Sequence, residues 1–245
     1  MVIAVWGRDG IGKSTLCDAL GYLYTKKGIA AVIDTDLTQP TLPVRVNGMN
    51  FDAASSLGKA LYGIGAGEAS RYLHQHPKRK SLFYAGLTDR DEYMSYEIGL
   101  EADEAAQYFV GQCGGLADTI ILDLSGQRTD PFIPCALTYA DKVIILVTPD
   151  VQGVCWFQAV KSLFISMNAQ GRVLPVAAMS DRHCDLPVIE KAAGTRFPVS
   201  LPFVKEFRRI RDTGEFPLSG TTRTAHRYAK QVKILYEMLK EGDGR

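Results

Sequence analysis

The sequence predicts an α/β protein: one domain over residues 1–245, built on a mostly parallel twisted sheet with helices on both faces. Three observations point there. Short, uniformly apolar runs recur along the chain, as strands buried on both faces require. Longer stretches of helical periodicity separate them, so strand–helix–strand units repeat. The first run leads directly into Gly7-Arg8-Asp9-Gly10-Ile11-Gly12-Lys13-Ser14, a glycine-rich turn between a strand and a helix.

Val2 to Trp6 is apolar throughout and forms the first expected strand. Ser14 to Lys27 places Leu16, Leu20, Leu23 and Tyr24 at helical spacing and stops before Gly28. Ala30 to Ile33 is a second strand, delivering Asp34-Thr35-Asp36 at its carboxyl end. Ser81 to Ala85 is a weaker strand pattern, and Asp103 to Cys113 a helix closed by Gly114-Gly115. Thr119 to Leu122 is a strand ending at Asp123, and Lys142 to Val147 another, followed by a helix from Val154 to about Met167. Val173 to Ala178 and Pro198 to Leu201 complete the strands. From Arg223 to Lys240, residues Ala225, Tyr228, Ala229, Val232, Leu235, Tyr236 and Leu239 share one side of a long amphipathic helix. Residues 241–245 read as a frayed tail.

Composition narrows the function classes. A net charge of +1 gives no global pull toward nucleic acid or anionic lipid, so such binding needs a local patch. Five cysteines without a paired or metal-ligand spacing read as reduced thiols of a cytoplasmic protein. No apolar stretch approaches the ~20 residues that span a bilayer. The amino terminus reads as a first strand and not a signal peptide.

In sheets of this kind ligands bind beyond the carboxyl ends of the strands. The loop from Gly7 to Ser14, the pair Asp34 and Asp36, and Asp123 all stand at such ends, which predicts one shared site. The glycines allow the backbone to wrap a phosphate with N–H groups pointing inward, and the helix that follows adds its positive end. Lys13 would reach the β- and γ-phosphates of a nucleotide, and the Ser14 hydroxyl a Mg²⁺ ion. Arg8 reads either as a solvent-facing residue or as a cation that stabilises phosphate charge, in its own subunit or across a dimer. Asp9 is expected to point away from the nucleotide; turned inward, it would weaken binding by like-charge repulsion. Asp123, after a uniformly apolar strand, is the better metal candidate, with room for a γ-phosphate at Gly126, whereas spacing does not assign Asp34 and Asp36 separate roles.

These segments resemble the ParA/MinD family, the deviant-Walker-A ATPases of the SIMIBI class of P-loop proteins. The resemblance runs through the loop at Gly7 to Thr15, Val32 to Asp36, Ile121 to Gly126, Ala140 to Asp150, and Leu201 to Pro217. It implies an ATP-dependent dimer acting as a switch that positions a cargo such as a plasmid, chromosome, division site or pilus machinery. It further implies an activating partner protein and ATP with Mg²⁺ as ligands. By the same resemblance, Gly7, Arg8, Asp9, Gly10, Ile11, Gly12, Lys13, Ser14 and Thr15 line the phosphates. Asp36 positions the hydrolytic water, Asp34 and Asp123 with Ser14 hold the magnesium shell, and Met179, Pro202 and Phe203 face the base. The chain departs from the family where Arg8 replaces the lysine that crosses to the partner subunit and Asp9 replaces the glycine after it. Met179-Ser180 also stands where the family carries an asparagine.

Two other readings compete. Gly7 to Gly10 resembles the loop of thymidylate kinases, and Thr88-Asp89-Arg90-Asp91 echoes their Asp-Arg element, which suggests a nucleoside-monophosphate kinase. A scaffold that binds ATP with little hydrolysis is the third. Lys205, Arg208, Arg209 and Arg211 form the best basic cluster for non-specific DNA binding, with His76 to Lys80 second.

Overall fold

The computed structural model describes residues 1–45, 51–61, 68–92 and 101–240. The tail expected to fray, 241–245, lies outside them. Eight strands form one sheet in the order β3-β4-β2-β5-β1-β6-β7-β8. They are β1 (Val2–Trp6), β2 (Ala30–Asp34), β3 (His74–His76), β4 (Arg79–Ala85), β5 (Thr119–Asp123), β6 (Lys142–Val147), β7 (Val173–Ser180) and β8 (Ser200–Pro202). Every pairing is parallel except that of β3 with β4.

The helices are α1 (Lys13–Tyr24), α2 (Leu42–Arg45), α3 (Leu57–Leu61), α4 (Ala102–Cys113), α5 (Phe132–Tyr139), α6 (Val151–Ser166), α7 (Leu186–Ala193), α8 (Phe207–Asp212) and α9 (Arg223–Lys240). The strand side chains alternate between two apolar layers, as pleating demands. Ala4, Trp6, Ile33 and Leu122 join Phe109, Phe132, Phe157 and Phe164 from α4, α5 and α6 on one face. Ile3, Val5, Val32 and Ile121 join Leu16 and Leu20 of α1 and Val232 and Leu235 of α9 on the other. The stripe expected on the last helix is its buried face, with Tyr236 edge-on to Tyr24 at 4.8 Å.

Several boundaries differ from the sequence pattern. Helix α1 stops at Tyr24 and not Lys27, because Lys26 and Lys27 turn back to the carbonyls of Leu23 and Tyr24. Helix α6 begins at Val151, three residues before the apolar pattern, because the Asp150 carboxylate accepts the Gly153 N–H and caps it. The last strand is Ser200–Pro202, shifted from the expected 198–201. Strand β3 and helices α2, α3, α5 and α7 add to the predicted set.

Position matters most at the sheet centre. Asp34 and Asp123 are register partners at the carboxyl ends of β2 and β5, and β1 continues beside them into the glycine loop. From β1 the chain crosses to one side of the sheet, and from β5 it crosses to the other. That divergence opens a crevice above β1 and β5.

Candidate functional site

The loop between β1 and α1 owes its shape to glycine at three positions. Gly10 and Gly12 take φ of +76° and +93°, a region that side chains with a Cβ rarely enter. A Cβ on Gly7 would stand 2.7 Å from the Ile11 Cδ1 and 2.8 Å from the Leu146 carbonyl oxygen, so the loop lies tight against β6. Lys13 opens α1, buried, with its side chain folded back into the loop. Its ammonium donates to the carbonyls of Gly7 at 3.1 Å and Arg8 at 2.9 Å, and to the Asp9 carboxylate at 3.0 Å.

Asp9 does not point away from the cradle, contrary to expectation. The carboxylate oxygen that accepts from Lys13 also accepts the Gly126 N–H at 2.9 Å, joining the loop to the segment after β5. Two hydrogen-bond donors that converge on one point draw an anion there, and the Asp9 carboxylate supplies it. Arg8 reaches in another direction. Its guanidinium donates to Thr148 Oγ1 at 2.8 Å and Gln152 Oε1 at 3.1 Å, with the Asp150 carboxylate at 4.0 Å. In this chain it ties the loop to the start of α6.

The acidic half of the site has a cation of its own. Arg45, at the end of α2, pairs with the Asp123 carboxylate, lies 3.6 Å from Asp34 and places its Nε 3.9 Å from Asp18. Asp34 also accepts from Thr41 Oγ1 and from the Asp36 N–H. Burial pushes the Asp34 and Asp18 carboxyls up to about 6 while the guanidinium pulls them back. The acids that surround Arg45 hold its own pKa above the ordinary value, against the effect of burial. Asp34 and Asp123 therefore turn their oxygens to a buried guanidinium. So arranged, they face a cation of the chain itself, whereas the family resemblance assigned them, with Ser14, to the shell of a magnesium ion.

Asp36 is half-buried, and its carboxylate accepts from the Thr38 N–H at 2.8 Å and the Thr38 hydroxyl at 2.5 Å. Gln127, next to Gly126, reaches the same Thr38 hydroxyl at 3.4 Å. Below them Asp130 is buried and accepts from the Thr35 hydroxyl, from the Ser125 N–H at 2.8 Å and from the Phe132 N–H at 2.9 Å. It fastens the end of β2 to the end of β5.

On the base side, Met179 sits at an irregularity in the β7–β8 pairing with φ of +60°, a strained setting for a non-glycine residue. Its terminal methyl lies over Gly12, 3.3 Å from where a Cβ would be. Pro202 is buried at the end of β8, and Phe203 is 52% exposed, with its N–H donated to the Ser180 carbonyl at 2.9 Å. Lys205, Arg208, Arg209 and Arg211 are exposed along α8 and its approach, Arg209 beside Glu206 and Arg211 beside Asp212. In the second basic cluster His76 is buried, and Arg79 stacks on Tyr22 at 4.2 Å. Thr88 to Asp91 forms a tight turn in which Asp91 accepts from the Thr88 N–H and hydroxyl.

Reading the sequence did not single out Arg45, Asp18, Asp130 or Thr148. The one available signal was Arg45, a lone basic residue in the proline-containing stretch after Asp36.

No protein-family model matches the sequence, and no curated protein matches it. Solved structures do. A ParA family ATPase from Chlorobium tepidum superposes with a TM-score of 0.76 at 14% identity, covering 96% of this chain and 98% of that one. The septum site-determining protein MinD from Pyrococcus horikoshii, complexed with Mg-ADP, gives 0.75 at 13% identity, covering 98% of each. A plasmid partition protein from Borrelia burgdorferi, bound to AMPPNP, gives 0.74 at 18% identity, covering 98% of this chain and 97% of that one. Among the described residues no helix is long and apolar enough to cross a membrane. With the glycine loop, the sheet order and these superpositions together, the chain has the fold of the ParA/MinD-like deviant-Walker-A P-loop ATPases.

Proposed function

We propose that this protein is a nucleotide-dependent switch of the ParA/MinD type, which binds ATP in the crevice above β1 and β5 and dimerises on it. The observation that carries this reading is Lys13: a buried ammonium turned back into a loop whose Gly10 and Gly12 hold left-handed backbone. A buried cation held by two carbonyls and one exposed carboxylate, at the start of a helix, favours an anion beside it. The loop amides would hold the inner phosphates and Lys13 the outer ones.

Asp36 is assigned to orient the attacking water, since it stands after β2 and is linked through Thr38 to Gln127 beside Gly126. Met179 and Phe203 would flank the base. Arg8 is assigned the task of coupling the loop to α6 within its own subunit, and through that helix end the state of the site could reach a partner. Mg²⁺ accompanies ATP in this reading, and the Ser14 hydroxyl is the group that would hold it, while Asp34 and Asp123 face Arg45. A cargo that the switch positions and an activating partner protein complete the proposal. The exposed residues of α8 offer a place for nucleic-acid backbone.

The test follows mass by light scattering and phosphate release together, with ATP and Mg²⁺, for the wild type and Asp36→Ala. The proposal expects ATP-driven doubling of mass, with slow release in the wild type and a trapped dimer without release in the variant. ATP binding without dimerisation or release would replace the switch by a binding scaffold. Phosphate transfer on addition of a nucleoside monophosphate would replace it by a kinase.

A further inference from the structure

Among the groups around the crevice, Asp9 has a geometry that the proposed function leaves unused. One oxygen of its carboxylate accepts from Lys13 Nζ at 3.0 Å and from the Gly126 N–H at 2.9 Å. The first donor is the residue that reaches the outer phosphates of a nucleotide held by such a loop. The second belongs to a different strand end, across the crevice from the loop amides. The place between them is outside the loop, where the last phosphate of a triphosphate would stand, whereas the inner phosphates lie against the loop amides. Room there is tight: a Cβ on Gly126 would stand only 2.5 Å from that oxygen.

We propose that Asp9 is a built-in occupant of the terminal-phosphate position, so that the resting site accepts nucleoside diphosphates directly and admits triphosphates only by displacing the Asp9 carboxylate. This rests on the nucleotide-binding reading above and adds to it a preference among nucleotides. The chemistry is like for like. A carboxylate and a phosphate are both anions that accept from an ammonium and a backbone N–H, and the two cannot share one place. A diphosphate leaves the Asp9–Gly126 contact standing.

Burial sets the size of the effect. The Lys13 side chain is 8% exposed, but that of Asp9 is 69% exposed, so the carboxylate can swing into water once displaced. An ion pair with one exposed partner holds weakly, and the discrimination is therefore about tenfold and not a thousandfold. The barrier is low enough for triphosphate at cellular excess to open the site, and the released Asp9 then no longer bridges the loop to the segment after β5.

The experiment is calorimetric titration of ADP, ATP, pyrophosphate and tripolyphosphate into the wild type, Asp9→Asn, Asp9→Ala and Lys13→Ala, with thermal melts showing that each variant is folded. The inference expects ADP to bind the wild type about tenfold more tightly than ATP. Both Asp9 variants should raise ATP affinity about tenfold while changing ADP less than threefold, and tripolyphosphate should follow ATP. Equal gains for both nucleotides, or no gain for either, would overturn the inference while Lys13-dependent binding keeps the nucleotide-binding reading intact. Absence of binding by every ligand to the wild type and both Asp9 variants overturns that reading and the inference with it.

Discussion

Arg45 and Asp123 form a buried ion pair at the floor of the crevice, joining the end of α2 to the end of the central strand β5. Their side chains are 5% and 2% exposed, and Asp34 and Asp18 share the same guanidinium. Removing one member of such a pair leaves charge stranded in the interior, which costs roughly 3–5 kcal/mol. Arg45→Ala is therefore expected to lower the unfolding free energy by that amount in urea titration. The same variant frees the carboxylates of Asp34 and Asp123 for a metal. Magnesium should then raise its melting temperature by several degrees while leaving the wild type unmoved. A wild type stabilised as much as the variant would show that Arg45 does not occupy the acidic half of the site.

Asp130 gives a pH dependence of known sign. Burial pushes its carboxyl from 3.8 up to about 7, although hydrogen bonds from Thr35, Phe132 and Ser125 pull it down. The native state keeps a proton that the unfolded chain releases, so the stability this group contributes is complete below about pH 4 and is lost as pH rises through about 7. Between pH 5 and 8 the loss is roughly 2–3 kcal/mol at most. Asp130→Asn cannot titrate and should flatten the fall of urea stability over that range relative to the wild type. Asp18 and Asp34 shift in the same direction but are present in both proteins, so their share cancels. Parallel curves would mean that Asp130 is ionised in the folded protein.

Two glycines separate backbone needs from site needs. Gly12→Ala forces a Cβ into φ of +93° and should destabilise the protein by about 1–2 kcal/mol. Gly126→Ala has no such backbone penalty, and the nearest atoms to its new methyl are those of the exposed Asp9 carboxylate, which can turn into water. Its stability should change by less than about 1 kcal/mol. Tripolyphosphate binding should nonetheless fall, because the methyl fills the space between Gly126 and Lys13, while pyrophosphate binding should hold. Denaturation, with titration of tripolyphosphate and pyrophosphate into the two variants, checks both expectations.

The central strands were legible because β1, β2, β5 and β6 are buried on both faces and read as unbroken apolar runs. Strand β3 was not: it is three residues, His74-Gln75-His76, at the sheet edge, with too little apolar content to show alternation. Helix α5 carries Pro134 in its first turn, where proline is tolerated but looks like a break, and α7 is only eight residues long. The phosphate loop was readable from spacing alone because its demands are local. The direction of Asp9 was not, since it depends on Gly126, 117 residues away in sequence. Arg45 was missed for the same reason, with Asp123 78 residues further along the chain. Single residues announce their chemistry, and the fold decides which partner they meet.

The most direct test is a calorimetric titration of ADP into the wild type and Lys13→Ala. Binding of one nucleotide per chain that disappears in the variant is the predicted result. Absence of binding, or binding indifferent to the loss of the Lys13 ammonium, would contradict the account.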